Sequence, residues 1–385
     1  MTRTPIRFTS KLPNVKTTIF TIMSRLAAEH NAVNLSQGFP DFATDSTLID
    51  LAQAAMRNGY NQYAQMPGLL ALREAIAEKI EDSHSVTYHP ETEVTITVGA
   101  TEAIFTTIAT FISPGDEVII LKPAYDCYEP AIELQGGIPV PVQLSAPAYK
   151  VNWSEVKDKI TSNTKMIVIN TPHNPTGTIF KQKDLLELAA ILKDTNIILL
   201  SDEVYEHIIF DGEEHQSACR FPELAERSFV CASFGKTFHN TGWKTGYCVA
   251  PKALMKEFRK THQYNVFCSH HPVQKAFADY LKNAVHYNSL PMFYQQKRDL
   301  FRELIKGSRF QILPCQGTYF QLLDYSKITK EDDISFATRL VQKNGIASIP
   351  ISVFNVDNRN DHMLRFCFAK EDRTLEKAAK ILNEL

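Results

Sequence analysis

The sequence predicts an α/β protein: an open, mostly parallel sheet wrapped by helices, with a second, smaller α+β domain attached. Two observations lead there. From about residue 94, short β-branched runs alternate regularly with amphipathic ones, the pattern of strands joined by helices. After roughly residue 280 the pattern changes to a long charged helix, a pair of strands and a helical tail.

Taken in order, "VTITV" (94–98) precedes a helical stretch from Thr101, and "EVIIL" (117–121) precedes another from Tyr125. "MIVIN" (166–170) leads through a Pro-rich loop into "DLLELAAILKD" (184–194). "IILLS" (197–201), "FVCAS" (229–233) and "GYCVA" (246–250) complete the succession of strands. The later region holds a helix around "FYQQKRDLFRELIK" (293–306) and strands near "TYFQLLDY" (318–325) and "MLRFCFA" (363–369). Residues before about 45, with "NLSQGFPDF" (34–42), read as an extended arm or part of the smaller domain. The division that follows is a large domain over 46–279 and a small one built from 1–45 plus 280–385.

Length and composition set bounds on function. A chain of 385 residues, 44% hydrophobic, buries a large core. Its 41 Lys+Arg against 43 Asp+Glu leave a net charge of −2, with no long basic run, so no nucleic-acid partner is expected. The seven cysteines are scattered and include no C-x-x-C pair, which argues against a disulfide framework or a zinc knuckle and for a reduced compartment. "MTRTPIRFTSKLPN" has no apolar signal core, and the apolar runs stop well short of a membrane span; the expected location is the cytoplasm, with no membrane partner. His270 and His271 are adjacent and there is no H-E-x-x-H, so no metal is expected and packing or a pocket rim is their role.

In an open parallel sheet, ligands bind beyond the carboxyl ends of the strands. Four loops there carry unusual residues: Gly99-Ala100-Thr101, "TPHNPTG" (171–177), "DEVY" (202–205) and "FGK" (234–236). The last opens into "SFGKTFHNTGWKTGY" (233–247), a lysine among small and aromatic residues, with Gly235, Gly242 and Gly246 read as admitting close neighbours. The set is coherent for one cofactor, pyridoxal 5′-phosphate. Lys236, desolvated and so more readily neutral, is the residue to form the Schiff base with its aldehyde. Asp202 pairs with the pyridine nitrogen and keeps it protonated, so that the ring accepts electrons from a bond broken at the substrate Cα. Asn174 and Tyr205 reach the ring hydroxyl, and Tyr125 stacks on the ring. Backbone N–H groups at Ala100 and Thr101, following Gly99, suit the phosphate, with Ser233 adding a hydroxyl and Lys244 a positive charge.

Singly, most of these residues have ordinary explanations. Asp202-Glu203 reads as a helix cap, Gly99-Ala100-Thr101 as a strand-to-helix turn, Asn174-Pro175 as a turn, and Arg365 between "ML" and "FCF" as a buried ion pair. Tyr125 and Phe20 alone read as core. It is the coincidence of four strand-end loops with complementary chemistry that favours a cofactor site.

"SFGKTFHNTGWKTGY", "NTPHNPTG" (170–177), "SDEVY" (201–205), "NLSQGFPDF" and "LRFCFAK" (364–370), in that order over nearly the whole chain, resemble the class I/II aminotransferases of fold type I. Within them the similarity is to the branch that holds methionine aminotransferase and the kynurenine/glutamine aminotransferases. The resemblance implies that Lys236 is the Schiff-base lysine, Asp202 the pyridinium partner, Asn174 and Tyr205 the ring-hydroxyl contacts and Tyr125 the stacking residue. It implies that Arg365 clamps the substrate α-carboxylate, a bidentate task, with Gly38 contributing a backbone contact and Phe20 a pocket aromatic. Tyr63 in "NQYA" matches a tyrosine that reaches the phosphate of the neighbouring subunit, which implies a homodimer with shared active sites. Lys244 stands where many members have arginine; the named branch shares the lysine.

The implied activity is amino transfer from an amino acid to a 2-oxo acid by a ping-pong cycle, methionine being the favoured donor ahead of aromatic amino acids, glutamine and kynurenine. The alternatives are a kynurenine/glutamine-type aminotransferase with cysteine-conjugate β-lyase activity, or a carbon–sulfur lyase on the same fold. A non-catalytic regulatory module is a third, disfavoured because few residues precede "NLSQGFPDF" and because both Lys236 and Arg365 are present.

Overall fold

The computed structural model describes residue 6 and residues 8–385; the remainder of the predicted N-terminal arm lies outside the described residues. In chain order the strands are β1 (Val33–Asn34), β2 (Val94–Thr97), β3 (Glu117–Lys122), β4 (Ile138–Gln143), β5 (Thr164–Asn170), β6 (Ile198–Asp202), β7 (Ser228–Ser233), β8 (Gly246–Val249), β9 (Gln311–Ile312), β10 (Phe320–Asp324), β11 (Ile346–Ala347), β12 (Ile349–Pro350) and β13 (Met363–Cys367).

Strands β2 to β8 form one seven-stranded sheet in the order β2-β8-β7-β6-β5-β3-β4. Every neighbouring pair is parallel except those made by β8, which is antiparallel to both β2 and β7. Both faces are buried, as a helix-covered sheet requires. Ile119, Ile167 and Leu199 pack on one face with Leu72, Leu188 and Phe277 from the helices; Ile120, Val168 and Leu200 pack on the other with Ile104, Ile108 and Phe258.

Strand β4, "IPVPVQ", was not foreseen. Pro139 and Pro141 obscure its strand character, but it pairs only with β3, as the edge of the sheet. The N–H groups of Ile138 and Leu144 reach the Asp116 and Lys122 carbonyls on the β3 side at 2.8 and 2.6 Å, so the missing donors at 139 and 141 fall on the free side.

A four-stranded antiparallel sheet, β12-β13-β10-β9, follows in the later region, flanked by the helices Leu290–Ile305 and Asp372–Asn383. Strand β1 joins β11 in a separate parallel pair. The register of β13 sets Arg365 opposite Leu322 on one side and Ile349 on the other. The helix predicted from Thr101 begins at Gly99, and the one predicted from Tyr125 begins at Tyr128, which leaves Tyr125 in the preceding turn.

Candidate active site

The parallel strands all deliver their carboxyl ends to one edge of the large sheet, and β8 begins there because it runs the other way. Lys244 therefore arrives at the same edge as Ser233, whose register partner is Gly246. A cavity at this edge is lined by Gly99, Ala100, Thr101, Tyr125, Asn174, Asp202, Tyr205, Ser233, Lys236 and Lys244, and also by Phe20, Gly38 and Arg365. Of the candidate cofactor- and substrate-binding residues, Tyr63 alone lies elsewhere: it is 81% exposed, on the rim of a separate cleft that includes His270 and His271, with its ring 5.2 Å from that of Phe267.

The helix Gly99–Phe111 opens with Gly99 at φ +73°, a conformation that favours glycine. Gly246 is required by proximity: a Cβ there would stand 2.5 Å from the Ala232 carbonyl oxygen and 3.0 Å from the Ala100 nitrogen. Gly235 is similarly close, at 3.0 Å from Thr241 Cα, whereas Gly242 has nothing within 4 Å. The expectation of close approach at Gly242 is thus corrected; it is the exposed residue of a 3-10 turn (Thr241–Trp243). Thr101 and Lys244 are exposed, so this end of the cavity is open in the single chain.

At the other end, Lys236 Nζ donates to the Gly38 carbonyl at 2.7 Å, and the Tyr319 hydroxyl donates to the same oxygen at 2.5 Å. Burial lowers the Lys236 pKa to about 8, helped by the positive Arg365 and Lys244 and opposed by Cys367 and Asp202. The amine is thereby available in neutral form near physiological pH.

Asp202 ends β6 and is 3% exposed. Burial raises its pKa to about 6, against hydrogen bonds from the Tyr128 hydroxyl (2.5 Å) and the Val204 N–H (3.3 Å). No helix begins at Asp202-Glu203, so the capping explanation does not apply. Asn170 ties two loops together, donating through Nδ2 to the Asp202 carbonyl at 2.8 Å and accepting the Asn174 N–H at 2.7 Å.

Arg365 is 1% exposed, and no carboxylate pairs with it among the described residues, which removes the ion-pair reading. Its Nη1 donates to Asn174 Oδ1 at 2.7 Å and its Nη2 to the Ser36 carbonyl at 3.2 Å, while Nε has no partner. The guanidinium lies 3.8 Å from the Phe320 ring centroid and 5.3 Å from that of Phe20. A buried cation that lines a cavity and has no carboxylate partner is suited to receive an anion.

Sequence reasoning missed Tyr128, Asn170, Tyr319 and Thr241. Asn170 carried a signal, a polar residue closing an apolar strand just ahead of Asn174; Tyr128 and Tyr319 carried none, since their targets are distant in the chain.

These residues fit pyridoxal 5′-phosphate. A neutral-prone lysine, a buried acid for a ring nitrogen, and a glycine-narrowed helix N-terminus beside Lys244 match the aldehyde, pyridine and phosphate groups in turn. Fold and site together thus define an enzyme of the pyridoxal-phosphate class. More particularly, residues 30–382 match the model of the aminotransferase class I and II family, and the chain belongs to that family, whose members depend on this cofactor.

Among its relatives, methionine aminotransferase of Escherichia coli (strain K12) is 46% identical, with all of both chains covered. The solved structure of YbdL from Escherichia coli, described as having a methionine aminotransferase function, superposes with a TM-score of 0.97 at 46% identity, covering 99% of this chain and 100% of that one. Human kynurenine–oxoglutarate transaminase 1 is 33% identical over 91% of this chain and 92% of its own.

Proposed function

We propose that this aminotransferase takes methionine as its preferred donor, with aromatic amino acids, glutamine and kynurenine behind it, and passes the amino group to a 2-oxo acid in a ping-pong cycle. The observation that carries this reading is Arg365, buried and with a free donor, in one cavity with the neutral-prone Lys236. When bound, the cofactor supplies an electron sink for the pair released at the substrate Cα.

The chain's own residues do the rest. Asp202 holds the ring nitrogen's proton, Asn174 and Tyr205 donate to the ring hydroxyl, and Tyr125 covers a ring face. Gly99, Ala100, Thr101, Ser233 and Lys244 hold the phosphate. Arg365 takes the α-carboxylate, with Asn174 holding its guanidinium and the Gly38 backbone alongside. Lys236 would hold the aldehyde end of the cofactor and, once free, its Nζ would be the base that takes the proton from the substrate Cα and gives it back.

Support for methionine comes from the 46% identical relative and from the apolar wall of Phe20, Phe39, Ile104 and Val204, surface that a thioether fills well. Support for a homodimer with shared sites comes from the open phosphate end and from exposed Tyr63, Tyr264 and Phe267, side chains that a second copy would cover. Tyr63 would then reach the neighbour's phosphate. Residues 46–279 serve as the large, cofactor-holding domain, and 1–45 with 280–385 as the small domain that carries Arg365. The seven free cysteines accord with a cytoplasmic location.

The test is the visible spectrum of the cofactor-loaded protein before and after methionine, phenylalanine, glutamine or kynurenine is added without any oxo acid. Conversion of the aldehyde-form band to the aminated-form band, fastest with methionine, is the expected result. A protein that stays colourless with the cofactor refutes the role of Lys236; a coloured protein inert to every donor refutes amino transfer.

A further inference from the structure

The turn over 202–207 carries two acids that amino transfer does not use, Glu203 and Glu206, and neither lines the cavity. The β6–β7 ladder ends at Asp202 with Cys231, and the Glu203 N–H makes one last backbone bond to the Cys231 carbonyl at 2.8 Å. Residues 204–207 have no sheet partner among the described residues, yet Tyr205 must be placed as accurately as Asp202. Side chains take over from the ladder there.

Glu203, 1% exposed, accepts from Ser201 Oγ at 2.7 Å and from the Ala218 N–H at 3.0 Å, and its other oxygen lies 2.7 Å from His215 Nε2. Glu206 Oε1 accepts from Lys79 Nζ at 2.6 Å and from the Tyr247 hydroxyl at 2.8 Å. Lys79 Nζ also donates to the Tyr247 hydroxyl oxygen at 2.7 Å, so the three groups close a triangle, with His207 Nε2 at 3.2 Å from the same ammonium. Lys79 is 3% and Tyr247 2% exposed. Burial raises the Glu206 pKa, but Lys79 together with His207 and His84 more than offsets it, so the acid is held ionised; burial lowers the His207 pKa to about 3.

A buried ion pair contributes little net stability compared with apolar packing of the same volume. What a closed triangle does well is hold a carboxylate at one point. Lys79 belongs to the helix Leu70–His84 and Tyr247 to β8, so the turn is pinned to two elements of the scaffold at Glu206 and to a third segment, 215–218, at Glu203.

We propose that Glu203 and Glu206, held by His215 and by the Lys79–Tyr247 pair, are positioning residues that set where Asp202 and Tyr205 stand in the cavity. The inference rests on the reading that those two residues contact the cofactor. Lys79→Met leaves the Glu206 carboxylate buried without its cation, and the turn relaxes; Lys79→Met with Glu206→Gln removes both charges together.

The experiment compares wild type, Lys79→Met, Glu206→Gln and the double variant, all cofactor-loaded. Three quantities are read: the cofactor dissociation constant, the pH at which the visible band titrates, and the Tm. Lys79→Met is expected to weaken cofactor binding by about tenfold and to move the band's titration by roughly half a pH unit, through displacement of groups it does not touch. The double variant is expected to recover most of both, since the two substitutions are strongly coupled. A fall in Tm with affinity and band titration unmoved overturns the proposal. Should Lys79→Met fail to fold, Tyr247→Phe decides on the same terms, because it opens the triangle without burying a lone charge. A wild-type protein that develops no visible band defeats the site reading and this role with it, a result distinct from a wild-type band that the variants leave unmoved.

Discussion

The Tyr128 hydroxyl donates to Asp202 Oδ2 at 2.5 Å, and it is the largest influence holding that buried acid's pKa down. Burial alone drives Asp202 toward the neutral form, which cannot keep a ring nitrogen protonated. Tyr128→Phe removes a hydrogen bond to a charged group, worth about 1.5–3 kcal/mol. The expected result is a fall in kcat/KM of about ten- to a hundredfold and a shift of the acid limb of its pH profile to higher pH. An unmoved acid limb would show that Tyr128 does not tune Asp202.

Lys236 ties catalysis to stability. Its pKa is about 8 in the folded, cofactor-free protein against the ordinary 10.5, so between these values the unfolded chain binds more protons than the native one. Below that window the full cost of burying the charged ammonium remains; as pH rises through it the cost is relieved and stability rises by about 3 kcal/mol. Urea unfolding of the cofactor-free protein across this range, wild type against Lys236→Met, reads the effect as a difference between two slopes. Parallel slopes would refute it. The same variant is expected to have no measurable amino transfer.

Arg365→Lys keeps the charge and loses the fork. The guanidinium is bonded to Asn174 and Ser36 and packed between Phe20 and Phe320, an arrangement an ammonium does not reproduce. The loss falls on substrate binding in ground and transition states alike, so KM is expected to rise by about a hundredfold with kcat changed far less. Initial rates over a wide range of donor concentration separate the two; a pure kcat defect would argue against carboxylate binding.

Two glycines of one motif are expected to behave oppositely. Gly246→Ala forces a Cβ to within 2.5 Å of the Ala232 carbonyl oxygen and 3.0 Å of the Ala100 nitrogen, at the join between the helix Gly99–Phe111 and β8. A loss of about 1–3 kcal/mol and weakened cofactor binding should follow. Gly242→Ala meets open space and has no positive φ, so it is expected to be neutral or to stabilise by about 0.4–1 kcal/mol. Thermal melts and cofactor titrations of the two variants make the comparison.

Much of this was legible in the sequence, because the chemistry sits at strand ends that β-branched runs announce. Six strands of the large sheet, and the cavity residues Gly99, Ala100, Thr101, Tyr125, Asn174, Asp202, Tyr205, Ser233, Lys236 and Lys244, follow from those runs and the loops after them; Phe20, Gly38 and Arg365 came only from the family resemblance. The seventh strand, β4, was hidden because its prolines are tolerated only at an edge, and which strand is the edge is a tertiary fact. Tyr128, Tyr319 and Lys79 were hidden for a related reason: each acts on a group far along the chain, and local pattern carries no record of that. Gly242 shows the converse, a motif glycine whose neighbours proved to be solvent.

The place of β8 has a consequence for how the protein is made. Strand β2 has β8 as its sole partner in the sheet, and β8 begins about 150 residues later in the chain. During synthesis, β3 to β7 can assemble as they emerge, while residues 94–97 must wait for 246–249. The loop closed by that last pairing is long, and such non-local contacts form slowly. Gly99–Thr101 sit on one side of the join and Ser233 and Lys244 on the other, so the residues proposed to hold the phosphate come together only when β8 arrives. On that proposal, cofactor capture would report that the nascent sheet has been finished.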